Sequence, residues 1–254
     1  MEDPPTGAQA LDRALSLLER VVRDDGRTPL AALASEQGLP VSTAHRFMAV
    51  FERRGWVARA ERGRYIAGGD LAGMARDVEL DAILTRSGRP VLRKLARRTG
   101  LTAHLGVLRA EMVTYLLKAP GGRTPLFTRE AMQLEAYCSA VGKVLLSHLP
   151  PEAQAAYVDG GPFVALTANT VIDPARLREA LAQTRARGYG VDDAEVADNL
   201  YCVAVPVRDA DGQVVAAISA SRFSNVAPPA DPALVAELHA AAAALCARVF
   251  RTRP

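Results

Sequence analysis

Residues 35–56 read S-E-Q-G-L-P-V-S-T-A-H-R-F-M-A-V-F-E-R-R-G-W, and this stretch constrains the fold more than any other. Ala44, Phe47, Met48 and Phe51 recur at helical spacing and form one apolar stripe. Ser42, Thr43, His45, Arg46, Ala49 and Arg53 fall on the other side, with Ser42 or its neighbour placed to cap the helix. An amphipathic helix this short needs tertiary partners, and the flanking sequence offers them. Upstream, Leu11, Ala14, Leu15, Leu18, Val21 and Val22 mark a helix from about Ala10 to Arg23. Thr28 as N-cap and Pro29 in the first turn predict a second helix to Gln37, stopped by Gly38. Downstream, W-V-A-R-A-E-R-G-R-Y-I-A predicts two short strands, Trp56–Arg59 and Arg64–Ala67, joined by a turn containing Gly63. Three helices and a small hairpin make a winged helix-turn-helix over residues 1–68.

Charge is concentrated where this unit needs it. The chain carries only +3 over 254 residues, yet Pro40–Arg64 holds six arginines against two glutamates. A helix that fits the major groove presents its N-terminal residues to base edges. Ser42, Thr43, His45 and Arg46 occupy that end, and Arg53 continues the strip. Arg59, Arg62 and Arg64 on the hairpin are placed to clamp phosphate or enter the minor groove. A solvated basic face is the alternative for any one of these residues. The combination of short helix, Gly turn, Ser/Thr-headed helix and Arg-bearing hairpin favours double-stranded DNA.

Beyond Gly68-Gly69 the pattern is helical from Asp70 to Arg98 with a break expected at S-G-R-P, residues 87–90. Residues 69–87 are accordingly expected to form a linker helix, and residues 88–254 a second domain. Expected strands are Thr102–Leu108, Met112–Lys118, Cys202–Arg208 and Val214–Ser221, the last two joined by a D-A-D-G hairpin turn. Expected helices are Ser139–His148, Glu152–Tyr157, Pro174–Arg187 and Asp231–Phe250. Consecutive strands with segregated helices predict an α+β sheet domain rather than a doubly wound one.

The same domain is poor in catalytic signatures. Its serines lack a G-x-S-x-G elbow, and Cys138, Cys202 and Cys246 are far apart, odd in number and without a C-x-x-C pair. Neither a metal site nor a cofactor is expected. A cysteine-dependent hydrolase using Cys138 or Cys202 with a histidine is one rival reading, and a winged-helix protein-interaction module is another. By alternation, Ser219 and Ser221 share one sheet face, and hairpin pairing allows them to line a cavity with Cys202. Asp192 stands just before that strand, either exposed or turned into the cavity. His104 and His148 read as packing or capping residues. No apolar run free of Arg, Asp, Glu or Gly reaches the ~18 residues of a membrane span, and the first ten residues do not resemble a secretory signal. A cytoplasmic protein is therefore expected.

The chain resembles the IclR family of transcriptional regulators. The resemblance rests on L-D-R-A-L-S-L-L-E and L-P-V-S-T-A-H-R-F-M-A-V-F-E-R-R-G-W-V in the first part. In the second it rests on H-L-G-V-L, A-Y-C-S-A-V-G-K-V-L-L, R-G-Y-G-V-D-D, C-V-A-V-P-V-R-D and V-V-A-A-I-S-A-S. It implies a winged helix-turn-helix joined by a linker helix to a GAF-like α/β effector-binding domain, assembled as a homodimer or homotetramer on a palindromic operator. It also implies that Asp192, Cys202, Ser219 and Ser221 contact a small organic acid. The backbone of Ala140 and Val141, in S-A-V-G-K, is implied to do the same at a helix N-terminus. Val141 is larger than the family's usual residue there and is expected to reshape the pocket. The A-P-G-G-R-T-P-L-F-T-R segment and Leu134 are expected to set pocket size, and Phe127, Tyr137 and Tyr201 suggest an aromatic catabolite as effector.

Overall fold

The computed structural model describes residues 6–76, 79–122, 124–224 and 231–250, and the chain divides into two compact units between Glu79 and Leu80. The first unit contains α1 (Thr6–Asp24), α2 (Leu30–Glu36), α3 (Val41–Arg53), β1 (Val57–Arg59), β2 (Tyr65–Ala67) and α4 (Gly69–Arg76). The strands β1 and β2 pair antiparallel, Val57 opposite Ala67. The anticipated stripe of α3 is the centre of this core: Ala44 and Met48 are fully buried and Phe51 nearly so, with Phe47 half-buried beside them. Leu17 and Val21 of α1 and Leu30, Leu33 and Ala34 of α2 close around it.

The helix caps differ from expectation. Pro29, not Thr28, is the N-cap of α2, and the Thr28 amide donates to Asp24 Oδ2 at 2.7 Å. Pro40, not Ser42, is the N-cap of α3, with no side-chain cap. Proline's restricted φ presets the extended residue that precedes a helix, and Pro40 O accepts from the Thr43 and Ala44 amides at 2.9 and 3.0 Å. The Ser42 and Thr43 hydroxyls are consequently not spent on capping.

The second unit contains α5 (Leu80–Thr99), β3 (Thr102–Arg109), β4 (Met112–Ala119), β5 (Gln133–Glu135), α6 (Ala140–Ser147), α7 (Pro151–Asp159), α8 (Pro174–Arg187), β6 (Gly190–Asp193), β7 (Leu200–Arg208), β8 (Val214–Phe223) and α9 (Pro232–Val249). Its sheet has the order β5-β4-β3-β8-β7-β6, with every pairing antiparallel. Helices α5 and α9 cover one face, and α6, backed by α8, covers the other. The four long strands and four helices lie close to where the sequence suggests. The edge strands β5 and β6 are additions: at three and four residues they are too short and too polar for an alternating pattern to register.

The break expected at residues 87–90 is absent. Helix α5 runs through Pro90, so the domain change expected at residue 88 falls inside a helix that belongs wholly to the second unit. Leu84, Val91, Leu92 and Leu95 of α5 are buried in that unit's core, and this packing outweighs the hydrogen bond that an internal proline forfeits. Gly88 fits for a packing reason, since a Cβ there would lie 3.1 Å from Leu117 Cδ1 and 3.2 Å from Leu105 Cδ2. Residues 77 and 78 of the expected linker lie outside the described residues. Among the described residues α9 is long enough and apolar enough by composition to cross a membrane, although it is no uninterrupted apolar run. Glu237 and Arg248 interrupt it, and Leu238, Ala241, Ala242 and Leu245 pack it onto the sheet and α5.

Because Met48 is fully buried at the centre of the first unit's core, Met48→Ala is expected to destabilise that unit by about 2–5 kcal/mol. Trp56 is the chain's single tryptophan and packs on Phe51 at 5.9 Å. Its fluorescence during urea denaturation therefore reports this unit, and an unmoved midpoint would contradict the core assignment.

Candidate functional site

Strand register assembles the polar groups of the second unit. One cross-strand row runs Asp192, Cys202, Ser221, Thr102, and the next runs Gly190, Ala204, Ser219, His104, Lys118. Side chains in such rows stand on one face, here the face covered by α6. Asp192, Cys202, Ser219, Ser221 and His104 thus meet Ala140 and Val141 at the start of α6, around one small cavity. Leu126, Thr128, Leu134, Tyr115, Ser139, Val196 and Leu200 complete its wall. Its free volume is about 10 Å³, the room of roughly one water.

Helix α6 reaches the sheet through an absent side chain. A Cβ at Gly106 of β3 would stand 2.9 Å from Val141 Cγ1, so glycine there makes the space that Val141 occupies. The Ser139 side chain caps α6 by accepting from the Gly142 amide at 3.1 Å. The Ala140 and Val141 amides, in the first turn, have no intrahelical acceptor and sit at the positive end of the helix dipole.

Two polar atoms at the cavity lack a protein partner. Asp192 Oδ1 accepts from the Glu195 and Val196 amides at 2.8 and 3.3 Å, while Oδ2 is buried without a hydrogen bond. Burial pushes the Asp192 carboxyl up to about 7, so near neutrality it can act as a hydrogen-bond donor. His104 is fully buried, its Nε2 is 2.8 Å from Thr128 Oγ1, and its Nδ1 has no partner. Burial, reinforced by the Lys118 ammonium, pulls His104 down to about 3, which keeps the ring neutral. The His104 ring stacks on Tyr115 with centroids 4.6 Å apart.

Sequence reasoning missed three of these features. It read His104 as packing or capping without anticipating the unpartnered Nδ1, it did not single out Tyr115, and it overlooked a buried ion pair between Lys143 and Glu195. Lys143 Nζ also donates to Val191 O at 3.1 Å, tying α6 to β6, while Glu195 Oε2 remains buried and unpartnered. The lysine of S-A-V-G-K within an otherwise apolar helix was the available signal. The aromatics named from sequence do not line the cavity: Phe127 is exposed, Tyr137 donates its hydroxyl to Val164 O at 2.6 Å, and Tyr201 faces the opposite side of the sheet. Leu126 and Thr128 of the anticipated segment do contribute, and Arg123 lies outside the described residues. On the other sheet face is a broad cleft of about 930 Å³ whose exposed arginines and carboxylates, including Arg98 beside Glu237, are of mixed sign. His104 and Asp192, each with a buried unpartnered atom, both line the small cavity.

The thiols do not suit nucleophilic chemistry. Cys138 and Cys202 are buried, and burial raises both well above the ordinary thiol range, opposite to the lowering a reactive cysteine requires.

In the first unit, Ser42, His45, Arg46 and Arg53 are exposed along α3 and Thr43 is half-buried. Arg62, with φ 58°, stands exposed at the hairpin turn. Arg59 differs from a free clamp: its Nε lies 3.3 Å from Glu52 Oε2. Arg64 is half-buried with Nε enclosed and unpartnered, so it is turned inward more than expected. Arg54, not anticipated, covers the Trp56 ring at 5.5 Å.

A helix-turn-helix unit with a basic outer face, followed by a sheet domain enclosing a polar cavity, defines the class of DNA-binding regulators that carry a small-molecule sensor. Residues 10–61 match the IclR helix-turn-helix domain, and residues 81–247 match the family described as bacterial transcriptional regulator IclR C-terminal. The chain belongs to the IclR family of transcriptional regulators. It is 34% identical to the HTH-type transcriptional regulator BhcR of Paracoccus denitrificans, over 85% of this chain and 77% of that one. It is 33% identical to the acetate operon repressor of Salmonella typhimurium, over 86% and 81%. Among solved structures, Thermotoga maritima IclR superposes with a TM-score of 0.63 at 26% identity, covering 96% of this chain and 100% of that one. An IclR homolog from Microbacterium hydrocarbonoxydans, complexed with 4-hydroxybenzoate, superposes with 0.62 at 26% identity, covering 94% and 98%. These relatives are regulators rather than enzymes.

Two stability predictions follow from the cavity's electrostatics. Asp192 holds its proton to about pH 7 when folded and to about 4 when unfolded. Its contribution is therefore complete below about pH 4 and is lost as pH rises through 7. His104 acts in the opposite sense, its contribution being lost as pH falls from about 6.5 towards 3. The difference between wild type and Asp192→Asn isolates the first group: melting curves should show the wild type losing ground to the variant between pH 5 and 8, and a pH-independent difference would refute this. Lys143→Ala leaves Glu195 buried without its counter-charge and should destabilise the second unit by about 3–5 kcal/mol, read by thermal unfolding.

Proposed function

We propose that this cytoplasmic regulator binds a small aromatic carboxylic acid in the α6 cavity and reads a palindromic operator with α3, as a homodimer or tetramer. The observation that carries the effector reading is the convergence of two free helix N-terminal amides with the buried, unpartnered Oδ2 of Asp192. The amides suit a carboxylate, and a protonated Asp192 donates to it. Cys202, Ser219 and Ser221 stand beside them on the same sheet face. The Tyr115 ring supports an aromatic body for the ligand, as does the 4-hydroxybenzoate bound by the Microbacterium relative.

With room for about one water, the cavity admits such an acid only when its walls part. The closed and opened states then differ in affinity, which is the condition for an effector to bias a regulator. On the DNA side, Arg46 reads a base edge, most naturally guanine O6 and N7, with His45, Ser42 and Thr43 beside it. Arg53, Arg62 and, once released from Glu52, Arg59 contact phosphate, an exposed pair like Arg59–Glu52 being weak. Arg64 follows if it turns outward. Leu11 and Leu15 of α1, 60% and 40% exposed, offer an apolar surface for a second copy of the chain.

Arg46→Ala should weaken operator binding about tenfold or more while leaving acid binding intact. Ser219→Ala should do the converse. Fluorescence-anisotropy titrations with operator DNA at two salt concentrations, beside calorimetric titrations with benzoate, test both. An unchanged operator affinity for Arg46→Ala would remove α3 from the recognition role.

A further inference from the structure

We propose that His104 is a specificity residue whose Nδ1 hydrogen-bonds a hydroxyl group on the effector, so that the site selects hydroxylated aromatic acids over the parent acid. The inference rests on the aromatic-acid reading above and adds to it a second polar contact on strand β3, away from the α6 amides.

The chemistry starts from an imbalance. A buried imidazole ordinarily has both nitrogens satisfied, and here only Nε2 is, by Thr128 Oγ1 at 2.8 Å. Nδ1 is enclosed and meets no protein group, and His104 is one of the residues that line the cavity. The ring cannot escape to solvent, being fully buried and stacked on Tyr115, and Ser219 is its cross-strand neighbour in β8. Burial keeps the ring neutral, so one nitrogen carries a proton and the other a lone pair.

Which nitrogen holds the proton depends on the Thr128 hydroxyl, which can donate or accept. A ligand group that satisfies Nδ1 in either tautomer must itself be both donor and acceptor, and a hydroxyl is the simplest group that is. It also reproduces the bonds of the single water for which the closed cavity has room. A bare aromatic edge would leave Nδ1 buried and unpaired, and that penalty is what separates the two ligands. It corresponds to a discrimination of roughly tenfold to a hundredfold.

The test uses the full chain with benzoate, 3-hydroxybenzoate and 4-hydroxybenzoate in calorimetric titrations. The expected result is a preference of at least about tenfold for one hydroxy isomer over benzoate. That preference should disappear in His104→Phe, which keeps the ring stack on Tyr115, and partly return in His104→Asn, whose amide places a polar atom where Nδ1 was. Nitrogen-15 spectra of histidine-labelled wild type give a readout independent of the variants. The His104 Nδ1 resonance should move with the preferred hydroxy acid and stay in place with benzoate. If none of the three acids binds, the aromatic-acid reading fails and the inference with it. If all three bind equally, or the preference survives in His104→Phe, the reading stands and the role of His104 is overturned.

Discussion

The register of the β7–β8 hairpin decides which way every polar group of the cavity faces. Side chains alternate strictly along a strand, so a slip of one residue would carry Cys202, Ser219 and Ser221 to the α5 and α9 face and bring Val203, Ile218 and Ala220 to the α6 face. The D-A-D-G turn fixes that register: Asp209 N donates to Gln213 O at 2.9 Å, and Asp209 Oδ1 accepts from the Asp211 and Gln213 amides at 2.9 Å each. The apolar layer between sheet and α9 then enforces it energetically, since a slip would bury hydroxyls against leucine and alanine.

Given the register, the cavity's electrostatics come from what α6 and β6 bring to it. Lys143 and Glu195 pair in the interior, and such a pair contributes little net stability because desolvation offsets attraction. Its physical effect is positional: the lysine holds Val191 O of β6 while the glutamate's own amide binds Asp192 Oδ1. The pair therefore fixes the loop that sets the Asp192 carboxyl against the α6 N-terminus. Asp192 stays buried with Glu195 nearby, which favours its protonated form and so its ability to donate.

Much of this was legible in the sequence, and the parts that were not share physical causes. The α3 stripe, the long strands and the shared face of Ser219 and Ser221 follow from period alone, because burial on one side forces the pattern. Pro40 and Pro29 took the cap positions from Ser42 and Thr28 because proline's backbone restriction acts locally, whereas a hydroxyl's capping preference is weak enough to be displaced. Helix α5 ran through S-G-R-P because four buried apolar side chains favour continuity over one lost hydrogen bond. The edge strand β6 was hidden by its length and its two aspartates, yet it is what makes Asp192 interior. The packing role read for His104 fits its burial and its stack on Tyr115, but its unpartnered Nδ1 was hidden because its surroundings are contributed by β8, β4 and the Thr128 segment, all remote in sequence.

Two of the second unit's buried unpartnered polar atoms, His104 Nδ1 and Asp192 Oδ2, belong to residues that line the α6 cavity. Most of the sheet's two faces is filled by Val, Leu, Ile and Ala, and the N-termini of α6, α8 and α9 are each capped by one side chain, Ser139, Asp173 and Asp231. Around Gly106 a helix N-terminus, an aspartate and a histidine are brought together with hydrogen-bonding capacity left over. Each unpaired buried group carries a penalty of about 1–3 kcal/mol, which apolar substitutes in a tighter core would remove. A fold retains such penalties where a partner that is only sometimes present relieves them, and a ligand that does so stabilises the state to which it binds.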